Sequence, residues 1–217
     1  MANLIIKSSA DDLVLQGSDA SPAITVGATG TTTFAENATL SGTANVYGAG
    51  TFPAHHIIQV LSTVKTDSQS THNSTNNVLW TDITGLSRTI TPVNTSNKIL
   101  INCNVTYGSN AYAGFFKIQR LIAGGSYADL TGATGDASGS RSRITAGAVG
   151  GTADTSELST ASMMYLDSPS TTSQVTYKIQ YTSRHTDYMM INRGYTNTDA
   201  DYAGLGISTI TCMEVVG

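Results

Sequence analysis

Four histidines, 15 acidic residues and 57 serines and threonines are the groups from which this chain would have to build any chemistry. A Ser-His-acid relay needs a histidine held between a hydroxyl and a carboxylate. His55, His56, His72 and His185 are all eligible, but serine and aspartate are so common that spacing selects none of them, and there is no Gly-x-Ser-x-Gly elbow. His55 and His56 are adjacent in a stretch that reads as a strand, so they point to opposite faces and cannot share one metal within a chain. Two alternatives stay open: one of them meets its symmetry mates on the axis of an oligomer and holds a metal there, or one packs and the other faces solvent. Carboxylates for glycan cleavage could come from Asp167, Asp187, Asp199, Asp201 or Glu157, although 217 residues leave little room for a long cleft. GAGT, GATG and GAVGG lack the lysine and the strand-turn-helix setting of a phosphate loop and read as turns. The sequence therefore assigns no catalytic residue, no cofactor and no metal, and the expectation is that the protein is not an enzyme.

Binding chemistry is better represented. Tyr112, Tyr127, Tyr188, Tyr195 and Tyr202 stand in or beside turns rich in Asn, Asp and Gly. An aromatic face under a pyranose ring, with Asn, Asp or Arg at the hydroxyls, is how sugars are held, and tyrosine suits it because its ring is apolar and its tip polar. DYMMINRGYTNTDADYAG, residues 187–204, is the densest such stretch. It nominates Tyr188, Asn192, Arg193, Tyr195, Asp199 and Tyr202 as receptor- or glycan-contacting residues. The competing assignment places several of these tyrosines in an oligomer interface.

The elements that would position these residues are β-strands. The chain is 40% hydrophobic but only 12% charged, about half the ~25% usual for soluble domains. Serine and threonine fill the difference, and threonine favours strands. The net charge is −4, and the 11 Lys and Arg never form a run. Nucleic-acid binding needs a basic stripe, so nucleic acid is not an expected partner. No stretch approaches the ~18 apolar residues of a membrane helix, so membrane insertion is not expected either. MANLIIKSS does not read as a secretory signal. Cys103 and Cys212 both lie in alternating runs; they are either a disulfide between paired strands or two small buried hydrophobes, the second being favoured.

Two regions are expected. Residues 1–52 run in short apolar pulses closed by Gly, Asn, Asp or Ser, such as LIIKSS, DDLVLQGSD and PAITVGATG. Such pulses make strands too short to fold alone and need stacked copies. Pro53 then interrupts pairing. Residues 53–217 carry eight to ten strand patterns. The stretch from His55 to Asp67 reads as a buried strand, Val78 to Ile83 and Leu86 to Pro92 as two short strands around Gly85, and Ser68 to Asn77 as a polar loop. The alternation is clearest in KILINCNVTY, where Ile99, Ile101, Cys103, Val105 and Tyr107 share one face, and it recurs in VTYKIQYTS. Residues 123–157 read as loops and short edge strands. The last strand, within residues 206–216, is expected inside a sheet. The fold class expected is all-β: a short-strand N-terminal stalk followed by an antiparallel jelly-roll sandwich.

TGTTTFAENATLSG and TANVYGAG resemble the N-terminal segments of virion fibre proteins of marine tailed bacteriophages. IIQVLSTVKTD, WTDITGLSRTITP, NKILINCNVTYG and GISTITCMEVVG resemble the head domain that follows in that group. The resemblance implies a homotrimeric fibre or spike with a head like those of tumour necrosis factor and complement C1q. It implies that residues 1–52 join other virion proteins of the capsid or tail, and that the head contacts a host-surface glycan or protein. It also implies a virion location, with synthesis in the host cytoplasm and release with the particle. Two alternatives remain: a capsid decoration or head-fibre protein that binds or stabilises the shell, and a small glycan-degrading tailspike.

Overall fold

The computed structural model describes residues 54–217, apart from 75–76, 111–113, 149–154 and 185–186, together with the backbone of three short strands before them. The chain divides into two compact units, residues 1–51 and 52–217. In the first unit, β1 (Leu13–Gln16), β2 (Pro22–Val26) and β3 (Thr32–Phe34) form a three-stranded antiparallel sheet in the order β1-β2-β3. The rest of the expected stalk lies outside the described residues.

The second unit holds β4 (Ile57–Lys65), β5 (Gln69–His72), β6 (Thr81–Ile90), β7 (Lys98–Ser109), β8 (Gly114–Ile122), β9 (Ala128–Asp129), β10 (Ala146–Ala148), β11 (Ser159–Asp167), β12 (Val175–Ser183), β13 (Tyr188–Ile191) and β14 (Ser208–Val215). A single 3-10 turn at Thr131–Ala133 is the only helical element among the described residues. All strand pairs are antiparallel. In the first sheet β11 pairs with β7, β7 with β14, and β14 with β4. β13 continues the line of β14 beside β7, and β5 continues the line of β4. In the second sheet β9 and β10 share one edge of β8, followed by β12 and β6.

Taking β4/β5, β9/β10 and β13/β14 each as one bent strand leaves eight strands in the second unit. Numbered along the chain, they run 1-8-3-6 in one sheet and 2-7-4-5 in the other. That order is a double Greek key, the jelly roll. The fold expected from the sequence is the fold observed.

Alternation explains which side chains meet between the sheets. Ile99, Ile101, Cys103, Val105 and Tyr107 of β7 are buried and pack against Phe116 and Ile118 of β8 and against Val175, Tyr177, Ile179 and Tyr181 of β12. Tyr107 meets Phe116 edge-on across the layers, with ring centroids 5.5 Å apart, a favoured aromatic geometry. The Tyr177 hydroxyl donates to Asp167 (2.6 Å), whose carboxylate also accepts both its oxygens' bonds from Arg120 (2.9 Å each). Asp167 is thereby a buried cross-layer tie. Burial, reinforced by the Asp167 carboxylate, pushes the Tyr177 hydroxyl far above its ordinary pKa.

Three expectations need correction. β4 is an edge strand with Ile57, Val60 and Val64 exposed, not a strand buried on both faces. β6 is one strand, because Gly85 at φ +80 forms a bulge that the chain passes through without breaking. The polar loop after β4 contains β5, since backbone pairing needs no apolar side chain. Cys103 and Cys212 are both free and buried. They lie on paired strands but stand diagonally: Cys103 is opposite Ile210 and Cys212 opposite Ile101. β14 lies inside its sheet, between β4 and β7.

Candidate functional site: the loop between the last two strands

The chain leaves β13 at Ile191 and rejoins the sheet at Ser208, and the intervening loop carries most of the nominated residues. Its base is Asn192, at φ +63, a left-handed conformation that asparagine tolerates. Asn192 is 1% exposed. Its amide donates to the carbonyl oxygens of Lys65 and Asp67, both at 2.9 Å, and its side-chain oxygen accepts from the Ser208 hydroxyl at 2.6 Å. Its own carbonyl accepts from Gly206 N at 2.9 Å. Asn192 therefore clamps both ends of the loop to the bend between β4 and β5. This corrects the expectation that it contacts a receptor: its hydrogen-bonding groups are spent inside the protein.

Arg193 turns its guanidinium back on the loop and donates to the carbonyls of Gly194 (3.1 Å) and Tyr195 (3.3 Å). It also forms an isolated bridge with Leu205. Backbone crowding fixes the loop's entry. A Cβ at Gly108 would lie 2.6 Å from the Arg193 carbonyl oxygen, and one at Gly194 would lie 2.8 Å from that of Ser156. Thr196 N donates to Thr155 O at 2.9 Å, and the two threonine hydroxyls are themselves hydrogen bonded.

The closed loop leaves a surface cup of about 380 Å³, lined by Arg193, residues 196–200 and residues 203–205. Such a volume lies at the low end of the ~300–1,000 Å³ range of ligand sites. Hydroxyl, carboxamide, carboxylate and guanidinium groups from Thr196, Asn197, Thr198, Asp199 and Arg193 all line it. The structure thus brings Arg193 and Asp199 together. Tyr202 does not line the cup; it is 66% exposed on the same loop.

Tyr188 and Tyr195 form a separate aromatic group. The Tyr188 ring stacks on His72 with centroids 4.2 Å apart and planes 16° apart, and it lies 5.8 Å from Tyr195. Tyr188 is fixed at its backbone, where its N–H donates to Asn110 (2.9 Å) and its carbonyl accepts from Ser109 (3.1 Å). The sequence considered His72 only for catalysis. Its role beside Tyr188 follows from the register of β5 on β13, which sets the two residues opposite each other.

The other chemical candidates are dispersed. His55 and His56 are both exposed, and His55 sits in a turn at φ +70 rather than in a strand, so neither is packed. Asp167 is structural, as described above. Among the described residues no group of three His, Cys, Asp or Glu could hold a metal ion, and no helix is long and apolar enough to cross a membrane. His185 and Tyr112 lie outside the described residues.

The outward faces of the two sheets differ sharply in chemistry. The second sheet carries Lys178 paired with Asp82 (2.7 Å) and Lys117 paired with Asp129 (2.8 Å). Lys178 also lies 3.9 Å over the ring of Tyr127 and Lys117 4.4 Å over that of Trp80. On the first sheet the register of β4, β14, β7 and β11 aligns Val60, Met213, Leu100 and Leu166 in one row. The neighbouring row is Ser62, Thr211, Asn102 and Met164, and another holds Val64, Thr209, Asn104 and Ser162. Val60 is 58% exposed, Met164 70% and Leu166 44%.

No family model and no curated protein matches the chain. Among solved structures it is similar to infectious bursal disease virus of the Gx strain, at 11% identity and a TM-score of 0.35, over 79% of this chain and 43% of that one. It is also similar to the T13 particle of the same virus, at 10% identity and a TM-score of 0.37, over 86% and 42%. A third similar structure is that of the Gt strain, at 10% identity and a TM-score of 0.36, over 86% and 47%. This chain spans less than half the length of each of them.

Proposed function

We propose that this chain is a bacteriophage virion structural protein, a homotrimeric fibre or spike. In this reading residues 1–52 attach it to other virion proteins of the capsid or tail. Its jelly-roll unit contacts a glycan or protein on the host surface and carries out no chemistry itself. The observation that carries the reading is the outer face of the first sheet. Four adjacent strands present Val60, Met213, Leu100 and Leu166 across their full width, and an exposed apolar patch of this kind marks an interaction surface. The second sheet, with its ion pairs, is suited to water. Copies of the same chain covering the first face would leave the loop 192–207, with its cup and tyrosines, free for attachment. The jelly-roll fold and the resemblance of the chain's segments to phage fibre proteins support the same reading.

Sedimentation equilibrium of the full chain at micromolar concentration is expected to return three times the 22.6 kDa chain mass. Purified protein is expected to bind host cells and to compete with virions for adsorption. A stable monomer, or a trimer that leaves adsorption unaffected, would overturn the reading.

A further inference from the structure

A second pocket of about 380 Å³ opens on the outer side of the second sheet, lined by Phe115, Ser140, Arg141, Ser142 and Arg184. Its parts come from three separate segments. Phe115 lies on β8, where its neighbour Phe116 points into the core, so Phe115 faces outward. Arg184 follows the last residue of β12. Ser140, Arg141 and Ser142 lie in a loop that turns at Gly139, φ +55, where Arg141 N donates to Ser138 O at 3.1 Å.

Four arginines near this loop are used differently. Arg143 is a staple: its guanidinium donates to Gly135 O at 2.7 Å and Thr131 O at 3.2 Å, closing the loop. Arg120 is tied to Asp167 on the inner side. Arg141 and Arg184 have no ion-pair or hydrogen-bond partner for their guanidinium groups among the described residues. They line one pocket with two serines and, among the described residues, no carboxylate, in a chain whose net charge is −4. Surface arginines on such a chain have ample carboxylates to pair with. Two that stay unpaired and share a concave site form a fork-shaped donor set without an acceptor. The guanidinium fork matches the geometry of carboxylate, sulfate and phosphate oxygens. Phe115 adds an apolar ring for the carbon face of a sugar, and the serine hydroxyls suit ring hydroxyls.

We infer that this pocket binds an oxyanion carried on a polysaccharide, a sulfate ester or a carboxylate, with Arg141 and Arg184 as its direct ligands. This site is distinct from the cup on the loop 192–207, and its test does not depend on the oligomeric state.

The test is binding of the full chain to dextran sulfate, polygalacturonate and neutral dextran, at about 50 and 300 mM salt. Screening of the charges by salt predicts weaker binding at the higher concentration. Retention on either polyanion, and not on neutral dextran, is expected, and the tighter of the two names the group. Arg141→Gln and Arg184→Gln are each expected to weaken binding about tenfold and the double variant about a hundredfold. The melting temperature should stay unchanged, since neither guanidinium is paired. Lys98→Gln, a cation on the other sheet, is expected to leave binding intact. Wild-type binding by the double variant, equal loss in Lys98→Gln, or equal retention on neutral dextran would each overturn the site.

Discussion

The side-chain amide of Asn192 donates to the carbonyl oxygen of Lys65 at 2.9 Å, and so joins the loop after β13 to the bend after β4, 127 residues earlier. The same amide holds Asp67 O, and Ser208 closes the clamp from the other end of the loop. Losing the amide strands two acceptors in a buried setting, each costing about 1–3 kcal/mol. Alanine also fits φ +63 poorly, at roughly 1–2 kcal/mol. Asn192→Ala is therefore expected to destabilise the protein by about 3–5 kcal/mol in chemical denaturation. Asn192→Gly, which relieves only the backbone term, should cost less. Equal costs for the two would show that the backbone conformation contributes nothing.

The two thiols should be silent in the native protein. Burial pushes the Cys212 thiol up to about 12, against a smaller opposing effect of Arg88. Burial raises Cys103 further, with Cys212 adding to it. The thiolate is the reactive form, so Ellman's reagent at pH 8 is expected to label neither cysteine until denaturant is added, then both. Stoichiometric labelling within minutes under native conditions would contradict the buried placement.

Acid should weaken the second sheet. At Asp82 burial raises the carboxyl pKa but is outweighed by hydrogen bonds from Lys178 and Gln180 and by the lysine charge. Lys117 and Gln119 do the same for Asp129. Both values are lowered on folding. Their stabilisation is thus complete above the ordinary value of 3.8 and is lost as pH falls through the lowered folded values. Both carboxylates are about half exposed, so solvent screening limits each pair to about 1 kcal/mol or less. The melting temperature should fall as pH drops below about 4, and an Asp82→Asn, Asp129→Asn double variant should lose part of that dependence. An unchanged slope would sink this assignment.

Charges placed on the first sheet's apolar row should separate the chains. Val60→Lys with Leu166→Lys alters two exposed side chains, and exposed substitutions usually change folding stability by no more than ~0.5 kcal/mol. Sedimentation velocity is expected to show the variant as a folded monomer and the wild type as the proposed trimer. A variant that still sediments as a trimer would place the interface elsewhere.

Attachment should depend on the loop's exposed groups. Asp199→Ala and Tyr202→Ala are expected to reduce binding to host cells about tenfold each, equivalent to about 1.4 kcal/mol, without moving the melting temperature. Tyr188→Ala should also weaken binding, with a modest loss of stability from its stacking on His72. Full binding by all three variants would remove this loop from the attachment site.

Alternation made most of the sandwich legible. The patterns of β7, β12 and β14 have one buried and one outward face, and period-two burial follows directly from that. The edge position of β4 was not legible, because Ile57, Val60 and Val64 are apolar on a face that looks outward. Gly85 read as a break because a bulge and a turn carry the same residue signal. In the candidate site, the stretch from Asp187 to Gly204 was visible by composition. The burial of Asn192 was not, because it depends on carbonyls more than a hundred residues away. The arginine pocket was equally hidden, since residues 115, 140–142 and 184 meet only after the second sheet has formed.

The central place of β14 bears on how the molecule is made. Leu61 of β4 lies opposite Cys212 of β14, so the first strand of the sandwich finds its neighbour only when some 150 further residues are present. Pairings so distant in sequence fold slowly, because the closure entropy comes before the contacts that repay it. Until residue 215 has left the ribosome, β4 and β7 each lack a partner on the same side, and their backbone edges stay open. Synthesis at high copy number would then be the hazardous interval for this protein, and a chaperone that shields strand edges during translation should raise its soluble yield more than one that acts on finished chains.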